Sequence, residues 1–223
     1  MSRTTSIVHK TRTQVVVEVL REKILSGDIA AGDPLRQSAL ASEFHVSRIP
    51  IREALLQLEA EGLVKFEAHK GATATELSVE QVTELFELRV MIETDLLARA
   101  IPNLRDEDYL QAEKVLDELE IAFKQEDAIA TWSELNTRFH TCLYHLANRP
   151  HTLEVVHGLN TNCDRYIRLQ LQLAGAIAQA EHDHRDLLRY CKNKEVDKAV
   201  ELLRSHILHA AGTLRDLVAQ QVI

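Results

Sequence analysis

Residues 40–64, LASEFHVSRIPIREALLQLEAEGLV, constrain the fold of this chain more than any other stretch. Leu40, Ala41 and Phe44 give a short helix an apolar side, and His45–Val46 reads as a tight turn. A second helix opens with Arg48 and Arg52 and carries Ile51, Ala54, Leu55 and Leu58 at helical spacing. Gly62 stops it. This is the pattern of a helix-turn-helix whose second helix offers its basic N-terminal end to a DNA groove.

The flanks complete a small domain. Residues 11–26 put Val16, Leu20 and Ile24 on one helical face and Val15, Val19 and Lys23 on the next, with Gly27 as a stop. Gly32, Asp33 and Pro34 predict a turn. Helix two is predicted near 37–44 and helix three near 48–61, with Ser47 as N-cap and Pro50 tolerated in the first turn. Residues 63–68 and 72–76 alternate around His69–Lys70–Gly71 and predict a two-stranded wing. Residues 1–10 read as a disordered arm, 11–76 as a winged helix-turn-helix domain, and 77–223 as an all-helical domain.

The second domain follows from composition and periodicity. Of 223 residues 45% are hydrophobic and only 4% aromatic, and Leu, Ala, Glu and Gln abound, which favours helix. Helices are predicted near 79–100, 106–124, 128–147, 151–173, 178–192 and 195–220, opened by a Ser78–Gln81 capping box. The expected fold is mainly α: a winged helix-turn-helix followed by an antiparallel helical bundle. No apolar run approaches the roughly 20 residues that cross a membrane. The N-terminus lacks the apolar core of a signal peptide. Cys142, Cys163 and Cys191 form no CxxC pair, and reduced thiols in a cytoplasmic protein are expected.

Net charge is −8. Residues 1–76 hold ten basic and ten acidic side chains, and residues 77–223 hold sixteen and twenty-four, so the acidity lies in the second domain. DNA binding needs only a basic face. Arg12, Arg48, Arg52, Lys65 and Lys70 are the candidates for it. Arg48 and Arg52, four residues apart, share a helical face, and an arginine fork suits guanine O6/N7 or phosphate. The competing assignment pairs Arg52 with a carboxylate such as Glu59; Glu53 reads as a structural partner.

A second constellation lies in the helical domain. His140, His184 and His206 sit on three predicted helices and can converge inside a bundle. Asn136, four residues before His140, shares its face. Imidazole is a common transition-metal ligand, although eleven histidines also meet by chance. A buried Arg89 needs an anion, either a bound effector or Glu93 four residues on. Asn162 and Arg165 form a second candidate effector contact. There is no H-E-x-x-H, nucleophile elbow or Gly-rich phosphate loop, which argues against an enzyme.

Residues 20–76 resemble the winged-helix domain of GntR-type bacterial transcription regulators. The resemblance rests on Leu20, Arg21, Ile24, Gly27, Gly32, Leu35, Leu40, Ala41, Phe44, Val46, Ser47, Arg48, Pro50, Arg52, Glu53, Ala54, Leu55, Leu58, Gly62, Leu63, Val64 and Gly71. It departs at Ile49, where a threonine is usual, at Gln37 for a common glutamate, and at Ala31 for a proline. It implies DNA contacts from Ser47, Arg48, Arg52, His69, Lys70 and Gly71, a homodimer, and a palindromic double-stranded operator.

Residues 79–215 resemble the all-helical FCD ligand-binding domain. Arg89 with Glu93, Phe139–His140, His184 with Leu187–Leu188, and His206 twenty-two residues after His184 carry the likeness. It implies a divalent metal ion, zinc or nickel, held by His140, His184, His206 and the residue at position 136. That ion helps hold a small carboxylate effector. The family has aspartate where this chain has Asn136, a neutral and weaker donor. His182 is an alternative to His184, and the Leu187–Leu188 register favours His184. The expected function is an effector-controlled, non-membrane DNA-binding regulator. The competing readings are a helical domain that only dimerises and a metal-dependent enzyme.

Overall fold

The computed structural model describes residues 10–67, 71–76, 78–122, 128–174 and 177–219. His69 and Lys70 lie outside the described residues, as do residues 1–9 of the expected arm. The chain divides after Glu76 into two compact units. It is mainly α, with a winged helix-turn-helix first and a helical unit second.

The first unit holds α1 (Arg12–Leu25), α2 (Gln37–Glu43), α3 (Arg48–Ala60), β1 (Val64–Glu67) and β2 (Gly71–Ala74). Thr11 caps α1 in a reciprocal capping box with Gln14, a signal absent from the sequence expectations. Val16, Val17, Leu20, Ile24 and Leu25 face inward, whereas the adjoining Val15 and Val19 are exposed. They meet Ile51, Ala54, Leu55 and Leu58 of α3 in one apolar core. Two pairings tie the helices from outside: Arg21 grips Glu61 through Nε at 2.8 Å and Nη2 at 2.7 Å, and Thr13 donates to Glu53 at 2.8 Å.

Both ends of the helix-turn-helix are closed by the same backbone device. After α3, Gly62 N–H bonds the Glu59 carbonyl at 2.9 Å and Leu63 N–H bonds that of Leu58 at 2.9 Å. Gly62 is left-handed at φ 74. This is a Schellman end, and glycine adopts its backbone without a Cβ penalty. After α2 the same two bonds run from His45 to Ser42 and from Val46 to Ala41, with His45 at φ 52. β1 and β2 then pair antiparallel, Val64 opposite Ala74 and Glu67 opposite Gly71. The segment around Pro34 pairs with β2 on its other side, through Leu35 N–H to the Ala72 carbonyl at 2.8 Å.

The second unit holds six α-helices among the described residues: α4 (Val79–Ala100), α5 (Asp106–Ala122), α6 (Ala128–Tyr144), α7 (Pro150–Ala174), α8 (Ile177–Lys192) and α9 (Val196–Ala219). Ser78 caps α4 by accepting from Gln81 N–H at 3.0 Å. Short 3-10 turns at Ile101–Asn103 and His145–Ala147 end α4 and α6. Phe86, Leu96, Leu97, Leu116, Phe139, Leu143, Leu203, Ile207 and Leu214 form a continuous core across α4, α5, α6 and α9. Lys194, at φ 57 between α8 and α9, sends its amine to the carbonyls of Ile101 and Leu104 at 2.6 Å each. It thereby pins one end of the bundle. Burial pushes the thiols of Cys163 and Cys191 up to about 11 and about 12, so both stay protonated and inert at neutral pH.

Candidate functional site

In the first unit the candidate residues stand at the start of α3. Arg48 and Arg52 are exposed, and among the described residues neither has an ion-pair partner. The carboxylates that might have claimed them are engaged elsewhere. Glu59 accepts from Phe66 N–H at 3.3 Å, Glu61 holds Arg21, and Glu53 holds Thr13. Arg52 is therefore not paired with Glu59. Ser47 occupies the N-cap position but its side chain makes no capping bond, which corrects the expectation that it caps the helix. Ser47, Arg48 and Ile49 at the start of α3 are exposed, and helix N-termini favour anions.

Ile49 is 69% exposed, an isolated apolar side chain between the two arginines. Gly71 opens β2 at φ 83. Lys65 does not belong to a free basic face. Its amine pairs with Glu67 at 3.0 Å and approaches Glu76 at 3.9 Å. His69 and Lys70 cannot be placed, being outside the described residues.

In the second unit three helices bring three histidines together. His140 comes from α6, His184 from α8 and His206 from α9, and their ligating nitrogens all lie within 4.8 Å of one another. Ring centroids are 5.1 Å apart for His140–His184, 4.9 Å for His184–His206 and 5.8 Å for His140–His206. His140 and His184 are buried and His206 is partly so. His182 is exposed and sits outside the group, as do His145, His151, His157 and His209. Phe139 packs its ring 4.9 Å from that of His184, walling the cluster with carbon.

Hydrogen bonds orient two of the rings. His206 Nδ1 lies 3.0 Å from Asp183 Oδ2, so that nitrogen carries the proton and donates. Tyr144 donates its hydroxyl proton to Glu93 Oε2 at 2.8 Å. Its 3.3 Å contact with His140 Nδ1 then requires the ring N–H to donate to the phenol oxygen. Both tautomers leave Nε2 bare. This is how metal-ligating histidines are usually held, with the second nitrogen fixed by an outer partner. Glu93 closes the chain by accepting from Arg89 Nε at 2.7 Å, at a site where Glu93 is wholly buried.

The electrostatics follow from burial. Loss of water pushes His140 and His184 well below the usual histidine value, reinforced for His140 by His206 and Arg89 and for His184 by His206 and His140. Both rings are neutral at pH 7, as ligands must be. Burial opposes the charge on Arg89, but Glu93 outweighs it and raises its pKa. Burial, then Glu93, drives the Tyr144 phenol up, so it remains a donor.

Buried groups at and near the cluster lack a hydrogen-bond partner among the described residues. Both ring nitrogens of His184 and Oδ1 of Asn136 lack a hydrogen bond among the described residues. An unpaired buried polar atom costs about 1–3 kcal/mol. A cation held by His140, His184, His206 and Asn136 would satisfy the Asn136 oxygen and one of the two His184 nitrogens. The donor set of three imidazoles and an oxygen suits zinc or nickel. Arg89 already has its anion in Glu93. Asn162 on α7 has a buried Oδ1 without a partner among the described residues, and the side chain of Arg165 lies outside them.

Sequence reasoning missed three residues here: Tyr144, Asp183 and Trp132. Tyr144 and Trp132 continue the four-residue spacing of Asn136 and His140 along α6, and Asp183 immediately precedes His184. Trp132 lies with its ring 6.2 Å from that of His184 at an interplanar angle of 30°.

Comparison with known proteins matches residues 84–209 to the FCD domain and residues 12–73 to the bacterial regulatory proteins of the gntR family. A crystal structure of a GntR-family transcriptional regulator from Pseudomonas syringae pv. tomato is 34% identical, covering 94% of this chain and 87% of that one with a TM-score of 0.58. The HTH-type transcriptional repressor GlaR of Escherichia coli is 29% identical over 207 residues, 90% of this chain and 94% of that protein. The gluconate operon transcriptional repressor of Bacillus licheniformis is 28% identical over 210 residues, 92% of this chain and 86% of that protein.

Proposed function

Because this chain belongs to the gntR family of bacterial regulatory proteins and carries an FCD domain, we propose that it is an effector-controlled operator-binding protein. It is a transcription regulator rather than an enzyme. In this reading a homodimer in the cytoplasm sets two copies of α3 on the half-sites of a palindromic operator. Arg48 and Arg52 read guanine edges or hold phosphate, and Ser47 holds phosphate at the helix N-terminus. The wing, through His69, Lys70 and Gly71, takes the neighbouring groove. The free state of both arginines supports this, since a cation without a protein anion is available to a phosphate.

Ile49 sets this regulator apart from relatives with threonine there. It can touch a thymine methyl but offers no hydrogen bond to a phosphate. Arg48 and Arg52 then carry more of the reading.

The helical unit is the input. The observation that carries this reading is the convergence of His140, His184 and His206, with the unpartnered oxygen of Asn136 one helical turn before His140 on α6. These four would hold a zinc or nickel ion, with Asp183 and Tyr144 fixing the outer nitrogens of His206 and His140. When bound, the ion supplies a positive Lewis-acidic centre for a small carboxylate effector. Asn136 brings no charge, so none of the ion's charge is neutralised at that position and more remains for the anion. Asn162 and Arg165 on α7 are the proposed further contacts to the effector. Arg89 acts by holding Glu93 and, through it, Tyr144 and His140. Control is allosteric only if the effector binds the operator-competent and incompetent arrangements with different affinity.

The test is elemental analysis of the purified protein, followed by gel shift of its own upstream DNA with carboxylates added, with and without chelator. The expected result is bound zinc or nickel and a carboxylate response that chelation abolishes. Metal-free protein whose DNA binding ignores both additions would leave the helical unit as a dimerisation device only.

A further inference from the structure

Trp132 is the only tryptophan of the chain and it is 3% exposed. Its Nε1 has no hydrogen-bond partner among the described residues. Indole N–H is a donor with no acceptor capacity, and buried indoles ordinarily find a partner. A phenylalanine would pack against His184 without leaving a dry N–H. The nitrogen is therefore unexplained by packing.

Its place on α6 suggests what it serves. Trp132, Asn136, His140 and Tyr144 follow one another every four residues. The Tyr144 end of this ladder is closed by Glu93 and Arg89. The Trp132 end is open in hydrogen-bonding terms. Four residues of helix advance about 6 Å, so Trp132 stands roughly one turn from Asn136 along α6. The aromatic stack with His184 ties it to the same cluster from α8.

We propose that Trp132 Nε1–H is the second anchor of the effector, donating to an oxygen about one helical turn from the metal-bound carboxylate. The ligand class is a short acid of four to six carbons with a second oxygen function, as carboxylate or hydroxyl, near its far end. This rests on the metal-centred reading above and adds a length and an acceptor to it. A one-carboxylate acid such as acetate reaches the cluster and not the indole. A hydrogen bond to a charged acceptor is worth about a tenfold gain in affinity.

The experiment uses full-length, zinc-loaded protein with a ¹⁵N-labelled indole, which gives a single indole N–H signal because there is one tryptophan. L-malate and acetate are titrated in turn, and zinc uptake is followed by calorimetry. Malate is expected to move the indole proton downfield and to bind about tenfold tighter than acetate. In Trp132→Phe the ratio of the two affinities should fall to near one, with zinc uptake reporting that the variant is folded. An indole signal that responds alike to both acids overturns the proposal, since the N–H then serves a buried water only. An unchanged affinity ratio in Trp132→Phe overturns it too. Zinc bound with a silent indole leaves the metal reading intact, whereas failure to take up zinc removes both. The wild-type spectrum decides the matter even if the variant does not fold.

Discussion

The two halves of this chain keep their candidate residues in opposite places. In the first unit the core is almost wholly apolar, Thr73 being its one buried polar side chain among the described residues, and Ser47, Arg48 and Arg52 stand outside it in water. In the second unit the candidate residues are inside the core, where Glu93, His184 and Asn136 replace apolar neighbours. An exposed site costs the fold little, and its side chains can be exchanged to suit a new operator. A buried site is part of the fold, so its chemistry and its stability cannot be changed separately.

The largest effect should come from Glu93→Ala. It leaves the Arg89 charge buried without its anion and removes the acceptor of Tyr144, costing about 3–5 kcal/mol of stability. Urea denaturation followed by circular dichroism measures this, and a loss under about 1 kcal/mol would erase the contrast between the halves. Arg48→Ala is the mirror case. Operator affinity should fall by roughly 1–3 kcal/mol at fixed salt while stability stays within about 0.5 kcal/mol. A gel shift with unchanged affinity removes the base-reading role from Arg48.

Asp183→Ala tests the outer support of the cluster. Freed of its carboxylate, His206 loses its fixed tautomer, and zinc affinity should drop about 10–100-fold in a competition titration. Equal affinity would mean that the Asp183–His206 bond is only a structural contact. A smaller, graded effect is expected with pH in metal-free protein. His140 and His184 are held well below the histidine value by burial, while in the unfolded chain they titrate near 6.5. Below that pH the unfolded chain binds more protons. Stability should therefore be full above about pH 6.5 and fall progressively as pH drops. His184→Leu should flatten that slope in a thermal-melt series, and an unaltered slope would assign the acid sensitivity to other groups.

Much of this architecture was legible because it is local. Gly62 and Gly27 mark helix ends through their own backbones and Ser78 through its hydroxyl, and the α4 boundaries follow from periodicity and caps alone. The histidine trio was legible only as three helices that can meet, with His184 chosen over His182 by the leucines that follow it. What escaped depends on side chains distant in sequence. Tyr144 finds Glu93 fifty-one residues away, and Lys65 has carboxylate neighbours in Glu67 and Glu76. Ser47 was misread because the N-cap position does not dictate that the hydroxyl turns inward. Trp132 was overlooked because a lone aromatic on an apolar face looks like ordinary packing until its nitrogen is seen to be dry.

The ladder on α6 also limits how a signal can travel. Turning that helix by one residue, about 100°, would swap Asn136 and His140 for Thr137 and Thr141, and Trp132 for Ser133. None of the three replacements offers an imidazole or an indole. Rotation would therefore break up the histidine cluster, and the proposed mechanism leaves α6 the freedom to tilt or slide as a rod. In the proposed mechanism, a ligand that grips one rung would displace Tyr144 at the far end with it, and the Tyr144–Glu93 bond would carry that displacement onto α4, the helix that follows the winged unit in the chain.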